Sequence, residues 1–383
     1  MNEQKLNKPK ILILSLAYFP FIGGAEVAVA EITKRLGGEP GEFEFDLITC
    51  NLDGQQRDEE QIGNVKIYRV GKGKVGKHLF HFLGYKKAKA LHLKNNYDII
   101  WSMMANRAGF AALFFKKKFP KVKFLLTLQE GDSVFNIWKK TWYIRPFYKA
   151  IYRSANYIQA ISNFLAKRAL KYGYQGPIEM VPNGVDLEKF NYLKKDLIKN
   201  EKIILTDSRL VEKNGVADLI KALYILVTNY SLNVIKIIII GTGPLENDLK
   251  KLAQDLGVAN KINFLGLIPY EDVQKYYALA DVFVRPSLTE GLGNVFLQAM
   301  AAEIPVIATP VGGIPDFLKD GETGWFCEVK NPKSIAEKIN YILDEKNKNE
   351  VDGVVGKARK MVEEKYSWKK IADKMGKIFK ELC

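Results

Sequence analysis

The sequence predicts an α/β protein made of two doubly wound units, and two observations carry that prediction. Short apolar runs alternate with stretches of helical spacing along nearly the whole chain, as in parallel sheets covered by helices on both faces. The alternation breaks once, in a turn cluster at Pro182, Asn183 and Gly184, and resumes after Asn200. With 383 residues the chain suits two domains of ordinary size, expected at 1–182 and 183–367, with a last helix from about 368 to 383.

In the first unit, residues 10–17 read as a buried strand and 26–36 as a helix. Strands follow at 44–50, 65–70, 97–103, 123–129 and 157–162. The second unit offers strands at 203–207, 234–241, 262–266, 281–287 and 304–309, and a helix at 333–343. The stretch 368–382 is amphipathic and helical. Two such units of similar size imply a cleft, with ligands at the carboxyl ends of the strands.

Composition narrows the function classes. No apolar run approaches the ~20 residues that span a bilayer, and the polar start MNEQKLNKPK runs into a strand, so neither a membrane span nor a signal peptide is expected. Cys50, Cys327 and Cys383 are scattered, with no CxxC, which points to a reducing compartment, a cytoplasmic location and no structural metal. The net charge of +15 is confined to one half: residues 1–182 hold 29 Lys and Arg against 15 Asp and Glu, and the rest 29 against 28. Between Lys72 and Arg153 lie 18 basic residues and three acidic ones, Asp98, Glu130 and Asp132. In the runs 86–94, 114–123 and 138–153, aromatic and apolar residues alternate with Lys and Arg, which suits a peripheral face on an anionic membrane. A merely solvated basic surface reads the same way. No nucleic-acid recognition motif accompanies the charge.

Three loops carry candidate chemistry. Gly23 and Gly24 follow the first strand where a helix begins, a place where backbone approaches a bulky ligand and N–H groups attract anions; a tight structural turn uses the same residues. Arg209 and Lys213 follow the first strand of the second unit, where two cations can neutralise a diphosphate leaving group. Glu290 precedes Gly291, Leu292, Gly293 and Asn294, whose amides open a helix toward phosphate or sugar oxygens, and Gln298 lies two turns on, where its amide can reach ribose hydroxyls. No DxD metal motif occurs, and no cofactor is expected.

Four elements in this order, GGAE at 23–26, VPNGVD at 181–186, RLVEKNG at 209–215, and EGLGNVFLQAMA with PVIATPVGG at 290–313, resemble the family 4 (group 1) retaining glycosyltransferases over nearly the whole chain. The resemblance implies a GT-B fold, with a nucleotide-sugar donor on the C-terminal domain, a glycan or lipid-linked acceptor on the N-terminal one, and the final helix packed back on the latter. It implies that Arg209 and Lys213 meet the diphosphate, Leu267 and Ile268 hold the base, Glu290 contacts the sugar, and Gln298 the ribose. It implies same-face attack, with the leaving phosphate helping to take the acceptor proton. Three positions depart from the family pattern. The second of two glutamates eight apart is Gln298. The lysine before the motif glycine is Asn214, with Lys213 one place earlier. A histidine after the fourth strand is replaced by Gln129, beside Glu130 and Asp132, which bind sugar or acceptor or else close a loop.

Rival readings remain. The GTGP at 241–244 follows a strand like a dinucleotide loop, but lacks the third glycine and an acidic ribose reader. A nucleotide-sugar epimerase on the same fold would need a polar catalytic set, and the three histidines, His78, His81 and His92, cluster in a Lys-rich stretch. A non-catalytic nucleotide-sugar binder gains weight from Asn214 and Gln298.

Overall fold

The computed structural model describes residues 8–131, 145–190, 201–232 and 234–383. They form two compact units, 1–184 with 368–383, and 185–367.

The first unit is an eight-stranded sheet in the order β3-β4-β2-β1-β5-β6-β7-β8. Its strands are β1 (Lys10–Leu14), β2 (Glu44–Asn51), β3 (Glu59–Ile62), β4 (Val65–Lys72), β5 (Ile99–Met103), β6 (Lys123–Leu128), β7 (Tyr157–Ala160) and β8 (Ile178–Met180). All neighbours pair in parallel except β3, which lies antiparallel on β4 at the edge. The helices are α1 (Gly24–Leu36), α2 (Gly73–Asn95), α3 (Arg107–Lys118), α4 (Arg145–Ser154) and α5 (Asn163–Lys171).

The second unit is a six-stranded, all-parallel sheet in the order β11-β10-β9-β12-β13-β14. Its strands are β9 (Lys202–Asp207), β10 (Ile235–Ile240), β11 (Ile262–Gly266), β12 (Val282–Arg285), β13 (Val306–Ala308) and β14 (Trp325–Phe326). The β10 run IKIIII is almost wholly buried because helices cover both faces of such a sheet, leaving no polar alternation to read. The helices are α6 (Val216–Asn229), α7 (Glu246–Asp255), α8 (Val273–Tyr277), α9 (Asn294–Ala301), α10 (Pro332–Leu343) and α11 (Lys348–Lys365).

The chain then returns to the first unit as α12 (Trp368–Leu382). Its apolar stripe Trp368, Ile371, Met375, Ile378, Phe379 and Leu382 joins the core of β1, β2 and α1. Phe379 meets Phe43, Phe45 and Trp101 edge-on, at 5.4, 6.0 and 5.3 Å between ring centres. Such contacts each add about 0.5–1.5 kcal/mol beyond area burial, so the last helix is an integral part of that core. Among the described residues no helix is long and apolar enough to cross a membrane.

Three strands escape the sequence reading: β3, β8 and β14. The first is EEQI, mostly polar because it pairs only at the sheet edge, and the other two have three and two residues, too short for any period to show.

Candidate active site

In each sheet the strand order reverses at the first strand, β1 in one unit and β9 in the other. An open α/β sheet binds ligands at the carboxyl ends of the strands beside such a reversal. In the second unit these are β9 and its neighbour β12, and the loops that follow them carry Arg209 and Glu290.

The loops are drawn together by positions without side chains. Gly215 has φ +71°, and a Cβ there would lie 2.0 Å from the Pro286 carbonyl oxygen. Gly312 has φ +60°, and a Cβ there would lie 1.8 Å from the Glu290 carbonyl oxygen. Backbone bonds fix the approach. Leu288 N–H donates to the Lys213 carbonyl at 2.7 Å, and Gly313 N–H to the Glu290 carbonyl at 3.2 Å. The GTGP loop also serves this purpose: Leu210 N–H donates to the Thr242 carbonyl and Leu245 N–H to the Leu210 carbonyl, so it braces the segment that presents Arg209.

Within the site, Glu290 is buried. Its Oε2 pairs with Arg285 Nη2 at 2.5 Å, and its Oε1 accepts from Gly291 N–H at 2.9 Å. Arg285 Nη2 also donates to Asn214 Oδ1 at 2.8 Å, and Asn214 Nδ2 donates to the Arg209 carbonyl at 2.6 Å. The Tyr277 hydroxyl lies 3.2 Å from Asp207 Oδ2 and 3.4 Å from Gln298 Oε1, with one proton to give to these two acceptors. The buried hydroxyls of Ser208 and Ser287 find no partner among the described residues. Unpartnered buried donors are costly, by about 1–3 kcal/mol each, and these two lie just past the ends of the neighbouring strands β9 and β12.

Comparison with known proteins identifies the family and the fold. The family described as Glycosyl transferases group 1 matches residues 188–368, and that described as Glycosyltransferase Family 4 matches residues 22–189. The chain belongs to the group 1, family 4 glycosyltransferases. A glycosyltransferase of Methanocaldococcus jannaschii is 28% identical over 377 residues, covering 97% of this chain and 98% of its own. The GDP-mannose-dependent alpha-(1-6)-phosphatidylinositol monomannoside mannosyltransferase of Mycobacterium tuberculosis is 29% identical over 254 residues, 61% of this chain and 65% of its own. In fold, the sucrose-phosphate synthase of Thermosynechococcus elongatus superposes with a TM-score of 0.85 at 21% identity, covering 98% of this chain and 99% of its own. Anabaena HepE, in complex with UDP and glucose, gives 0.77 at 18% identity, covering 97% and 100%. The fold is GT-B.

The glycosyltransferase holds the remaining sequence-derived residues as follows. Arg209 is exposed, and Lys213 is half-buried in a short 3-10 turn, Glu212–Asn214. Gly293 has φ +89° and caps α9, with Gly291 and Leu292 buried before it and Asn294 opening the helix. Leu267, just past β11, is 81% exposed, and Ile268 is half-buried. In the first unit, Gly23 caps α1 and Gly24 opens it. The carboxylate of Glu26 accepts from the Gly23 and Glu26 N–H groups, so this helix start already carries an anion of its own; burial pushes that carboxyl up in pKa despite both bonds. Gln129 exchanges both amide bonds with Asn183, at 3.2 and 3.1 Å, tying the end of β6 to the VPNGVD turn. The Glu130 carboxylate turns inward and accepts from Ala105 N–H at 2.5 Å. Asp132 and residues 138–144 of the third basic run lie outside the described residues.

Sequence reasoning did not find Asp207, Arg285, Tyr277, Ser208 or Ser287. Arg285 had a visible signal, a charge closing the apolar strand VFVR. Tyr277 ends α8 and the other three lie at or just past strand ends, ordinary residues until the fold brings them together. A cavity of about 890 Å³ opens in the first unit at the amino ends of β1 and β2, beside Lys10, Glu44 and Tyr97, the opposite end of that sheet from Gly23 and Gly24.

Burial raises the Asp207 carboxyl from 3.8 to about 6, against the opposing pull of the Arg285 charge and the Tyr277 hydroxyl. An acid whose folded pKa is raised stabilises the fold below its unfolded pKa, and that contribution is lost as pH rises through the folded value. The window is therefore pH 4 to 6. Urea unfolding of the wild type and Asp207→Asn should show the wild type losing stability relative to the variant across this window, by about 3 kcal/mol at most. A constant difference from pH 4 to 7 would contradict the raised value.

Proposed function

We propose that this glycosyltransferase moves a hexose, with retention, from a UDP- or GDP-sugar to a glycan or lipid-linked acceptor. The unit 185–367 would bind the donor, and the unit formed by 1–184 and 368–383 the acceptor. The observation that carries this reading is the placement of Arg209, Glu290 and the unpartnered Ser208 and Ser287 hydroxyls in the loops after the adjacent strands β9 and β12. Known proteins add support: the Mycobacterium relative is GDP-mannose-dependent, and the Anabaena structure holds UDP and glucose.

The Glu290 carboxylate favours same-face attack over a glycosyl-enzyme intermediate. A nucleophilic carboxylate needs an oxygen free to reach the anomeric carbon, and both Glu290 oxygens are already engaged, by Arg285 and by Gly291 N–H. Acceptor oxygen then bonds to the anomeric carbon as the bond from that carbon to the phosphate oxygen breaks. The acceptor proton passes to the departing phosphate. Arg209 and Lys213 would neutralise the charge that develops there, Leu267 and Ile268 would cover the base, and Gln298 would face the ribose. The protein supplies position and preorganised charge.

A thermal-shift series with UDP-, GDP- and ADP-sugars tests the donor. A donor at 100 times its Kd should stabilise the protein by about 2.7 kcal/mol. No shift with any of them, and no transfer to added acceptors, would remove the reading. Because cations of the chain are assigned the phosphate charge, transfer should survive EDTA. Full loss on chelation, restored by Mg²⁺ or Mn²⁺, would show that a metal carries that charge instead.

The acceptor unit is also proposed to dock on anionic membrane. Along α2, Val75, Leu79 and Phe82 are exposed at helical spacing, and Phe82 stacks on Phe114 of α3 with ring centres 5.9 Å apart. Lys74, Lys77, Lys86 and Lys89 are exposed on the same helix. Each such cation adds ~1 kcal/mol near an anionic surface, so attachment should be reversible and salt-sensitive. Flotation with phosphatidylserine vesicles at ~50 mM salt, where screening is weak, should recover the protein with the vesicles. Protein left at the bottom of the gradient would mean a solvated basic surface only.

A further inference from the structure

The family motif places a lysine at position 214, and here that residue is an asparagine with no charge to offer. The neighbouring Lys213 does not simply take its place. Residues 212–214 form a 3-10 turn, in which successive side chains point about 120° apart. Asn214 itself is 2% exposed, and its amide is used at both ends, by the Arg209 carbonyl and by Arg285. The cation found where this side chain points is Arg285, at 2.8 Å.

Arg285 is an unusual residue for its place. It ends β12 after Val282, Phe283 and Val284, all fully buried. Removing a guanidinium from water costs several kcal/mol unless its donors are met. Its bonds to Asn214 and Glu290 both fall on Nη2, while the buried Nε has no partner among the described residues. Ser287 Oγ, two residues on, and Ser208 Oγ, past the end of the paired strand β9, are buried and unpartnered as well. The unmet, cationic Nε and the unmet Ser287 Oγ lie two residues apart at the end of β12, with Ser208 Oγ past the end of the neighbouring β9. A phosphate, with several anionic oxygens, meets that combination better than a neutral sugar does.

We propose that Arg285, held in place by Asn214 and Glu290, joins Arg209 and Lys213 at the donor's diphosphate by meeting its β-phosphate, so that Asn214 and Arg285 together stand where the motif lysine would. The proposal rests on the nucleotide-sugar reading of the site. Asparagine at 214 is then the partner that aims the arginine. A lysine there beside Arg285 would set two cations together in a buried place.

Calorimetric titration with UDP, GDP and ADP, and with the matching monophosphates, tests this on four proteins: wild type, Arg285→Met, Asn214→Lys, and the double variant. Wild type should bind one diphosphate more tightly than its monophosphate. Arg285→Met should weaken the diphosphate at least tenfold and the monophosphate less than threefold. Asn214→Lys alone should not tighten the diphosphate. The double variant, which again sets a cation opposite Glu290, should bind the diphosphate within threefold of wild type, and it keeps the test open if Arg285→Met does not fold. Equal losses for both nucleotides in Arg285→Met would overturn the role of Arg285, and a folded double variant that stays weak would overturn the idea that Asn214 and Arg285 replace the motif lysine. If wild type binds none of the nucleotides, the nucleotide-sugar reading fails and this assignment fails with it.

Discussion

Arg209→Ala should reduce sugar transfer by about 10²–10³-fold, equivalent to about 3–4 kcal/mol in the barrier, and leave the fold intact. The side chain is exposed, so deleting it should change stability by no more than ~0.5 kcal/mol. Its backbone does the structural work: the Arg209 carbonyl accepts from Asn214 Nδ2 at 2.6 Å, and alanine keeps that bond. What is lost is a cation placed just past β9, at the strand-order reversal, where the diphosphate is proposed to leave. A preorganised charge in such a place costs no reorganisation when the leaving group develops its own. Arg209→Lys should recover part of the rate, because it keeps the charge and loses the two-pronged geometry. Initial rates with matched unfolding curves decide the matter. Transfer by Arg209→Ala within threefold of wild type would remove Arg209 from the reaction.

The division of labour between Arg209 and its neighbours shows how far the sequence could be read. The β/α alternation and the strand-end position of Arg209 and Glu290 were legible, because apolar runs such as 235–240 and the glycines that follow them have few other uses in a parallel sheet. Edge strands were not, since EEQI at 59–62 satisfies pairing without a buried face. Within the site, sequence adjacency does not show what faces Asn214. Lys213 looks like a lysine shifted by one place, yet a tight turn separates neighbouring side chains, and the group beside Asn214 comes from residue 285, 71 positions away. Gln129 has a similar lesson. Its amide beside Glu130 reads equally as a ligand contact or a loop closure, and in the fold both ends of that amide bond Asn183, 54 positions on. Pairings of this kind depend on which strands become neighbours, and no local pattern records that.

Gly312→Ala should be nearly inactive and should also destabilise the fold by at least ~2 kcal/mol, whereas Gly353→Ala should stabilise it by about 0.5–1 kcal/mol. The two glycines differ in their surroundings. At 312, φ is +60°, a region that costs an L side chain roughly 1–2 kcal/mol. The new Cβ would also stand 1.8 Å from the Glu290 carbonyl oxygen and 2.8 Å from its carbon, both backbone atoms that cannot rotate away. The loop must therefore retreat by more than 1 Å. Glu290 moves with it, because Gly313 N–H is bonded to the same carbonyl, and its carboxylate is the partner that holds Arg285. A misplacement of about 1 Å in a positioned group can cost 10²-fold in rate. At 353, in the exposed face of α11, a Cβ meets nothing within 4 Å, and alanine only removes freedom from the unfolded chain. Urea unfolding and transfer rates of the two variants, taken together, separate a close-packed loop from a tolerant helix. A Gly312→Ala protein with wild-type stability and rate would mean that the 310–313 loop does not press on Glu290, and the packing that orients this carboxylate would have to come from elsewhere.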